Sequence, residues 1–174
     1  MLTLPEYKIE TNILILRKWT HFDLKDLYEF GKIDGLGEMA GWHHFNNMKD
    51  AKTFLALFQY LNTVFCVYHK KDRKAIGTLD FAEDDKFITK KVLAIGYSLS
   101  KDYWGKGIMK EAIEAVYDFF LENDFSTLSA TVYKDNLNSI RLLDKLGFEF
   151  YENYFDYNVD NKLVEVNKYI KQIK

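Results

Sequence analysis

Two glycines separated by one residue mark the part of this sequence best suited to binding chemistry. Gly105 and Gly107 follow an apolar run, Val92 to Leu99, and precede a segment of helical periodicity that begins at Ile108. A strand, a glycine loop and a helix N-terminus together form a site for phosphate, because glycines let the backbone approach a ligand and the first helical N–H groups have no internal partner. Alone the pattern is weak, since such glycines also mark ordinary turns.

A second polar pair lies further along the chain, where a short helix is predicted to begin. Asn136 and Ser139 precede an apolar segment that ends at Leu146, and Gly147 follows it. Asn and Ser are favoured at the N-terminal cap of a helix, and Gly is favoured at a left-handed C-terminal cap. The two polar side chains can therefore cap the helix, contact a bound ligand, or do both.

The elements that position these residues are indicated by hydrophobic periodicity. The predicted strands cover residues 13–16, 64–68, 75–81, 92–99, 128–133, 149–157 and 162–170. The predicted helices begin after Thr20, near Asn47, after Gly107 and after Asn136, and the segment 31–41 is predicted to be a loop. Thr20 and Asp23 have the spacing of a capping box. The helix after Gly107 is expected to be long.

This order predicts a single α/β (α+β) domain over residues 1–174, with a mixed central sheet of about seven strands and helices on both faces. The chain of 174 residues is long enough to bury a core of useful size. The strand 92–99 is apolar along its length, as expected for a central strand covered on both faces.

Composition and charge exclude several classes of protein. The net charge is −2, and the only basic run, residues 70–74, reads as a solvated hairpin turn, so nucleic acid is not an expected partner. No apolar run reaches the roughly twenty residues of a membrane helix, and no signal peptide pattern is present. Cys66 is the only cysteine, which excludes disulfides within the chain and disfavours a zinc site built on thiolates. We expect a cytoplasmic protein without a metal or a membrane contact.

The two polar blocks resemble signatures of the GNAT superfamily of acyl-CoA N-acyltransferases, and most closely those of its RimJ/RimL-type branch. The glycine loop of that family, (Gln/Arg)-x-x-Gly-x-(Gly/Ala), is occupied here from Asp102 to Gly107. Its second signature falls on Asn136, Ser139, Lys145, Gly147 and Phe148. The resemblance extends to the opening strand 12–19, the loop 41–44 and Ile95-Gly96-Tyr97, so it covers nearly the whole chain and implies the GNAT fold.

The resemblance implies that acetyl-CoA is the co-substrate and that a primary amine attacks it directly in a ternary complex. Pantetheine and the acetyl group would bind at the end of strand 92–99, and pyrophosphate would bind the glycine loop. The residues assigned to the coenzyme are Tyr97, Ser98, Leu99, Trp104, Gly105, Lys106, Gly107, Ile108, Met109, Asn136 and Ser139. Trp42, His43 and His44 are assigned to the acceptor side. Trp104 and Lys106 have alternative roles, in loop packing and in contact with solvent.

Three positions depart from the family pattern. Leu143 stands where many members carry a Tyr that acts as an acid toward the sulfur, and Ala94 stands where RimL-like chains commonly carry a Glu base. Asp102 occupies the Gln/Arg position of the loop, which weakens one coenzyme contact without removing the backbone cradle.

Other residues could take over these catalytic roles. Ser139 is a candidate assistant at the departing sulfur, and Asp80 is a candidate base. His43, His44 or a relay through water are alternatives to Asp80, since histidine titrates near neutral pH. His21 and His69 are expected at the surface.

The acceptor is the least defined part of the prediction. Acidic side chains could attract a cationic amine, although such runs are usually solvated loops; they are Asp34, Glu38, Glu83, Asp84 and Asp85. The favoured function is acetyl-CoA-dependent N-acetylation of a protein N-terminus or a small amine. The alternatives are a non-catalytic acyl-CoA-binding sensor or assembly module and a generic anion-binding protein, for which no other phosphate-loop motif is present. The resemblance allows a homodimer that pairs through the last strands, and the sequence does not determine the oligomeric state.

Overall fold

The computed structural model describes residues 2–87 and 91–174, and these residues form one sheet flanked by helices. Its strands are β1 (Ile9–Glu10), β2 (Leu14–Arg17), β3 (Val64–His69), β4 (Lys74–Glu83), β5 (Val92–Leu99), β6 (Thr127–Tyr133), β7 (Glu149–Tyr157) and β8 (Leu163–Gln172). Its helices are α1 (Leu24–Gly31), α2 (Met48–Leu61), α3 (Ile108–Ala115), α4 (Tyr117–Glu122) and α5 (Leu137–Leu146). Short 3₁₀ turns occur at His21–Asp23, Glu38–Ala40, Asp85–Phe87 and Lys101–Tyr103.

The sheet has the order β1-β2-β3-β4-β5-β6-β8-β7. The β5–β6 pair is parallel, and the other pairings between neighbouring strands in the described ranges are antiparallel. The parallel pair is short, because only Val92 to Ala94 are in register with Thr127 to Ser129. Beyond these residues β5 stays paired with β4 and β6 stays paired with β8, so the two central strands separate. This leaves an opening in the middle of the sheet.

Each face of the sheet carries its own hydrophobic core. The helices α3, α4 and α5 cover one face, called here the α3 face, where Phe65, Phe81, Ile113, Phe120 and Leu143 are buried. The helices α1 and α2 cover the other face, the α1 face, with the buried residues Trp19, Leu27, Phe30, Phe45 and Leu55. The alternation of side chains along β4 and β5 places Asp80 and Gly96 on the α1 face and Tyr97 on the α3 face.

Local cap chemistry agrees with the sequence predictions. The Asp23 carboxylate accepts hydrogen bonds from the N–H and the hydroxyl of Thr20, each 2.8 Å long. The Asn47 side chain accepts from the N–H groups of Lys49 and Asp50 at the start of α2. Gly147 ends α5 in the left-handed conformation, at φ 76°. These signals act over a few residues, which is why they could be read from the sequence.

The mixed sheet with helices on both faces agrees with the prediction of about seven strands, and the described residues form eight because Ile9–Glu10 adds a short edge strand. Two other sequence predictions need correction. The helix after Gly107 is not one long helix but is divided into α3 and α4 at Val116. After this turn, the adjacent residues Phe119 and Phe120 both pack in the core. His69 is not at the surface: only 13% of its side chain is exposed, with Nδ1 2.9 Å from Asp72.

No helix in the described part of the chain combines the length and the apolar character that a membrane span requires.

Candidate active site

The opening between β5 and β6 exposes backbone groups of β5. The N–H of Ser100 donates to Ile76 of β4 over 2.8 Å, and the carbonyl of Val92 accepts from Asp84 at the other end of the ladder. Because alternate residues of an antiparallel strand face the same partner, Ser98 also directs its backbone toward β4. The backbone groups of Tyr97 and Leu99 then point into the opening, where β6 has moved away. An extended amide chain can bind along such an edge as an added strand would.

The glycine loop lies at the end of this opening. Gly105 and Gly107 have positive φ angles of 72° and 76°, and a Cβ placed on either would meet no atom within 4 Å. The first intrahelical donor of α3 is the N–H of Glu111, which reaches the Gly107 carbonyl over 3.0 Å. Within the described ranges, the N–H groups from Gly105 to Lys110 donate to no protein acceptor. They therefore form a cradle of free donors beside open space, which suits an anionic group.

Side chains around the loop hold it against the sheet. The Tyr103 hydroxyl donates to Asp72 in the β3–β4 turn over 2.5 Å, and the Trp104 indole N–H donates to the Leu99 carbonyl over 2.7 Å. Burial and the neighbouring Asp72 raise the pKa of Tyr103 above its usual range, so this hydroxyl remains a donor. The Lys106 ammonium donates to the Asp102 carbonyl over 2.6 Å. Trp104 thus has the packing role that the sequence left open, and Lys106 is folded back onto its own loop.

Asn136 and Ser139 lie at the start of α5, which borders the opening on the α3 face. The Asn136 side chain accepts from the N–H of Ser139 over 3.2 Å, so its capping role is present in the structure. The Tyr97 hydroxyl is buried and has no hydrogen-bond partner of regular geometry in the described part of the chain. Burial raises the pKa of Tyr97 to about 12, and the neighbouring Ser139 hydroxyl acts in the opposite direction. A coenzyme arm in the opening would therefore meet Ser139 and Tyr97 together.

Asp80 lies directly across from Gly96 on the α1 face. The two residues are in register between β4 and β5, and a Cβ placed on Gly96 would lie 2.6 Å from Asp80 Oδ2. Only the absence of a side chain at Gly96 lets the carboxylate rest on the strand that borders the opening. Burial raises the pKa of Asp80 from 3.8 to about 6, although a local backbone hydrogen bond lowers it in part. The group is ionised at neutral pH and close to the range of an effective base.

The acceptor-side loop is built around Glu38 and an aromatic cluster. The Trp42 ring packs 5.1 Å from Phe45 and 5.7 Å from Phe54, between ring centres. The Glu38 carboxylate accepts from the N–H of His44 and lies 2.9 Å from its ring nitrogen Nδ1. Burial alone would raise the pKa of Glu38, but these hydrogen bonds lower it to about 2. The bond to Glu38 raises the pKa of His44, which favours its protonated form and makes it a poor base.

His43 is the more exposed of the two histidines. Its side chain is 62% exposed, and its Nδ1 lies 3.9 Å from Asp160 in the β7–β8 turn. Asp34, Glu38 and His44 have ligand atoms within 4.8 Å of one another, a set that could hold a metal ion, and here they bind each other. The polar side chains of this loop therefore bond mainly to one another and fix the conformation of the loop.

A groove of about 570 Å³ separates the acceptor-side loop from the end of β6 and the β7–β8 hairpin. Its lining residues come from these three segments, and they are Glu38, Met39, Tyr133, Lys134, Asp135, Asn158, Val164 and Glu165. The Lys134 ammonium pairs with Glu165 over 2.6 Å, so its charge is compensated within the groove. Glu38 and Asp135 leave the lining with an excess of negative charge.

Comparison with known proteins decides the family. Residues 14–149 match the acetyltransferase (GNAT) domain. An uncharacterised N-acetyltransferase of Bacillus subtilis, YoaA, is 30% identical over 148 residues, which cover 81% of this chain and 82% of the relative. The chain belongs to the GNAT family of acetyltransferases.

Solved structures confirm the fold of this GNAT acetyltransferase. The microcin C7 self-immunity acetyltransferase MccE, in complex with acetyl-CoA and AMP, matches with a TM-score of 0.81 at 22% identity, covering 94% of each chain. RimL, a ribosomal L7/L12 α-N-protein acetyltransferase in complex with coenzyme A, matches with a TM-score of 0.79 at 18% identity, covering 96% of this chain and 98% of RimL. At these identities the likeness concerns the fold alone. It agrees with the RimJ/RimL-type resemblance, and the family confirms the expected N-acetyltransferase class.

The co-substrate of GNAT acetyltransferases is acetyl-CoA, and the residues present fit it. The free N–H groups from Gly105 to Lys110 match a pyrophosphate, and the backbone of Tyr97 with the N–H of Leu99 matches an amide-containing arm. A Cβ at Gly105 or Gly107 would project into open space beside these N–H groups, so the space for an anionic group is present. The orphaned hydroxyl of Tyr97 gives the site a polar group that the protein itself does not satisfy.

Two of the departures from the family pattern can now be located in this GNAT fold. Leu143 is fully buried in the core of the α3 face. Ala94 is the last β5 residue in register with β6, directly before the strands separate. Neither position carries a group that can transfer a proton. Asp80 is the carboxylate that lies against Gly96 across the β4–β5 pair.

The acidic set expected near the acceptor is not a single patch. Asp84 is 7% exposed and its Oδ2 pairs with the Lys168 ammonium over 2.6 Å, so it is a buried structural group and cannot attract an acceptor. Ser129 also donates to Asp84 over 2.5 Å, and it is the last β6 residue that pairs with β5. No sequence pattern predicts this network, because its members come from β6, β8 and the segment after β4 and meet only in the folded sheet.

Proposed function

We propose that this protein transfers the acetyl group of acetyl-CoA to a primary amine by direct attack in a ternary complex. The observation that carries the proposal is the opening between β5 and β6. Its strands are in register only from Val92 to Ala94, so the backbone of Tyr97 and the N–H of Leu99 have no partner on β6, and the open glycine loop lies at the end of the opening. A long molecule with an amide-containing arm and a diphosphate fits this combination.

The coenzyme would be held mainly by backbone. Its pyrophosphate would bind the N–H groups from Gly105 to Met109, and its pantetheine arm would pair with Tyr97 and Leu99. The side-chain oxygen of Asn136 already accepts a hydrogen bond from the N–H of Ser139. The side-chain nitrogen of Asn136 is therefore the group that would donate to the pantetheine. Acetyl-CoA supplies an activated thioester, and the protein's task is to hold that thioester in line with a neutral amine.

The attacking amine must lose a proton, and Asp80 is the proposed base. Its carboxylate rests on Gly96 beside the opening, and its pKa of about 6 leaves it ionised at neutral pH. His44 is less suitable because its bond to Glu38 favours the protonated ring. The N–H groups that point into the opening supply donors for the carbonyl oxygen as it becomes negative. Positioning provides much of the acceleration, so a water relay to Asp80 would also serve.

The acceptor would enter from the α1 face through the groove between Glu38 and the β7–β8 hairpin. The groove shares this face with Asp80, because Tyr133 on β6 and Gly96 on β5 have the same orientation in the sheet. Glu38 is held as an anion, and Asp135 adds a second negative charge. This favours a cationic amine, either a protein N-terminus or a small molecule.

A non-catalytic acyl-CoA-binding module is the competing function. It is favoured by the absence of an ionisable group at Ala94 and by the complete burial of Leu143. Asp80 weighs against it, because a carboxylate held against Gly96 beside the opening, with its pKa raised by burial to about 6, is the kind of group that concentrates at catalytic sites.

Thermal unfolding with and without acetyl-CoA tests the proposal first. Binding to the folded state raises the melting temperature by mass action. We expect a rise with acetyl-CoA and with free CoA, and no rise with ATP or NAD at the same concentration. A panel of peptide N-termini and small amines is then assayed for thiol release. Binding without release across the panel would support the non-catalytic module, and no thermal shift would contradict both functions.

We also propose that two copies pair through β7. This strand forms one edge of the described sheet and spans nine residues. Its aromatic side chains Phe155 and Tyr157 are 64% and 68% exposed. A second β7 would satisfy the unpaired backbone edge and cover these rings at the same time.

A further inference from the structure

The Tyr97 hydroxyl is one of four buried side-chain polar atoms that have no hydrogen-bond partner in the described part of the chain. It lies on the α3 face, where Tyr97 packs against the same core as Ile140 of α5. It is buried and has no hydrogen-bond partner of regular geometry among the described residues. Buried hydroxyls are nearly always paired, and the exceptions concentrate where a ligand or a reaction needs them.

The neighbour of this hydroxyl is Ser139 at the start of α5. The backbone N–H of Ser139 is already bonded to Asn136 Oδ1, which fixes the first turn of the helix and with it the position of the serine Cβ. The Ser139 hydroxyl is close enough to Tyr97 to act on its ionisation. In the described structure it makes no regular hydrogen bond of its own, so its proton has no fixed direction.

We infer that Tyr97 is the positioning residue that turns the Ser139 hydroxyl toward the sulfur of coenzyme A. This inference rests on the proposed function, since it requires the coenzyme in the opening. A phenol that donates to Ser139 Oγ occupies a lone pair of the serine and leaves the serine proton to point away from it, toward the ligand.

Tyr97 serves here as a donor that keeps its proton. Burial raises its pKa to about 12, so it remains protonated throughout the range in which a thiol titrates. During transfer the amine nitrogen bonds to the acetyl carbon, the C–S bond breaks, and the electron pair leaves on sulfur. The thiolate accepts a hydrogen bond from Ser139, which accepts one from Tyr97. Neither residue is deprotonated, and the amine proton leaves through Asp80 or water.

The consequence can be measured without knowledge of the acceptor. A donor aimed at the sulfur stabilises the thiolate and lowers the pKa of the bound CoA thiol. The ultraviolet absorbance of the thiolate reports this pKa in the complex, and the same titration with desulfo-CoA subtracts the tyrosines of the protein. A residue with only a packing role would not move this value.

The variants are Tyr97→Phe, Ser139→Ala and their combination, with Tyr117→Phe as the matched control. Tyr117 also has a buried hydroxyl without a regular partner, but it lies on α4 and outside the site. We expect Tyr97→Phe to raise the pKa of bound CoA by about 1, which is a ten-fold weaker preference for the thiolate. Ser139→Ala should raise it at least as much, the combination should add nothing further, and Tyr117→Phe should leave it unchanged.

Four results would overturn the inference. They are an unchanged thiol pKa in Tyr97→Phe, an equal shift in Tyr117→Phe, an additive shift in the combined variant, and an unchanged thiol pKa in Ser139→Ala. If Tyr97→Phe folds poorly, the Ser139→Ala variant serves as the test. Calorimetry with CoA separates this failure from a failure of the proposed function. If wild-type protein does not bind CoA, both are wrong, whereas normal binding with a flat thiol titration removes only the role of Tyr97.

Discussion

The carboxylate of Asp80 lies over the backbone of Gly96, and the pair joins the candidate base to the strand that borders the opening. A Cβ at Gly96 would lie 2.6 Å from Asp80 Oδ2 and 2.9 Å from Oδ1. Any side chain larger than the hydrogen of glycine at position 96 would collide with the Asp80 carboxylate. Gly96 is therefore a determinant of where the base is held, although it carries no reactive group itself.

Gly96→Ala should displace the Asp80 carboxylate and lower turnover while the fold is retained. A displacement of about 1 Å at a reacting group can cost on the order of a hundred-fold in rate, so we expect a loss between about ten-fold and a hundred-fold. Steady-state thiol release measures it. In the Asp80→Asn background the same change should have little further effect, and a full additional loss there would show that Gly96 acts on something else.

The pH dependence of kcat should follow Asp80. Because its pKa is about 6, the wild-type rate should fall as the pH decreases below about 6, where the carboxylate becomes protonated. Asp80→Asn should lower the rate most above pH 6 and should remove this acidic limb. The measurement is kcat at saturating acceptor between pH 5 and 8. A variant that keeps the wild-type profile would exclude Asp80 as the base.

The raised pKa of Asp80 also makes the stability of the protein depend on pH. A carboxyl whose folded pKa lies above its unfolded value destabilises the protein when ionised, so stability decreases as the pH rises from about 4 to 6. The rise from 3.8 to about 6 corresponds to at most about 3 kcal/mol, and residual solvent contact reduces it. Asp80→Asn should therefore unfold at higher urea than wild type at pH 8, and the two should be equal at pH 4.

Gly107→Glu should abolish coenzyme binding. The new carboxylate would occupy the open space beside the free N–H groups of α3 and repel a diphosphate, so we expect acetyl-CoA affinity to fall by about a hundred-fold or more. Calorimetry measures it. Gly41→Glu is the matched control, because Gly41 has φ 86° and a similarly open Cβ position outside the glycine loop. Both carry the same backbone strain, and equal loss of affinity in both would contradict the loop assignment.

The ion pair of Asp84 and Lys168 should dominate the stability of the sheet centre. The two side chains are 7% and 6% exposed, so Lys168→Met leaves a buried carboxylate without its partner. Breaking such a pair costs about 3 to 5 kcal/mol, whereas Lys91→Met, at the exposed Lys91–Asp124 pair, should cost under about 1 kcal/mol. Urea denaturation compares them.

The pH dependence of this ion pair has the opposite sign to that of Asp80. The pKa of Asp84 lies below 3.8, since Lys168 and Ser129 outweigh the effect of burial, so the stabilisation is present above pH 4 and decreases as the pH falls further. Equal unfolding free energies for Lys168→Met and Lys91→Met would contradict the structural role of the pair.

Pairing through β7 predicts a dimer in solution. Sedimentation should give twice the monomer mass for wild type. The double substitution Phe155→Lys and Tyr157→Lys should give a monomer, because it places charges on the exposed face of the edge strand. Phe22→Lys is the control, since Phe22 is 81% exposed and far from β7 in the chain. A wild-type monomer at high concentration would contradict the pairing.

Local signals in the sequence determined much of the fold. The apolar run Val92 to Leu99 predicted β5 with its observed bounds, Asn47 predicted the start of α2, and Gly147 predicted the left-handed end of α5. The glycine loop was predicted at Gly105 and Gly107, and both have positive φ. Each of these features is set by residues within one or two turns of chain, where the type of side chain alone decides which backbone conformation is cheapest.

Only the tertiary structure decided how the strands meet, and that decision made the site. The separation of β5 from β6, the contact of Asp80 with Gly96 and the approach of Tyr97 to Ser139 each join segments that are distant in sequence. The same is true of Asp84 and Lys168, where a run that read as a solvated acidic loop contains a buried ion pair. Sheet register and core packing fix such contacts together, and no single segment carries the information by itself.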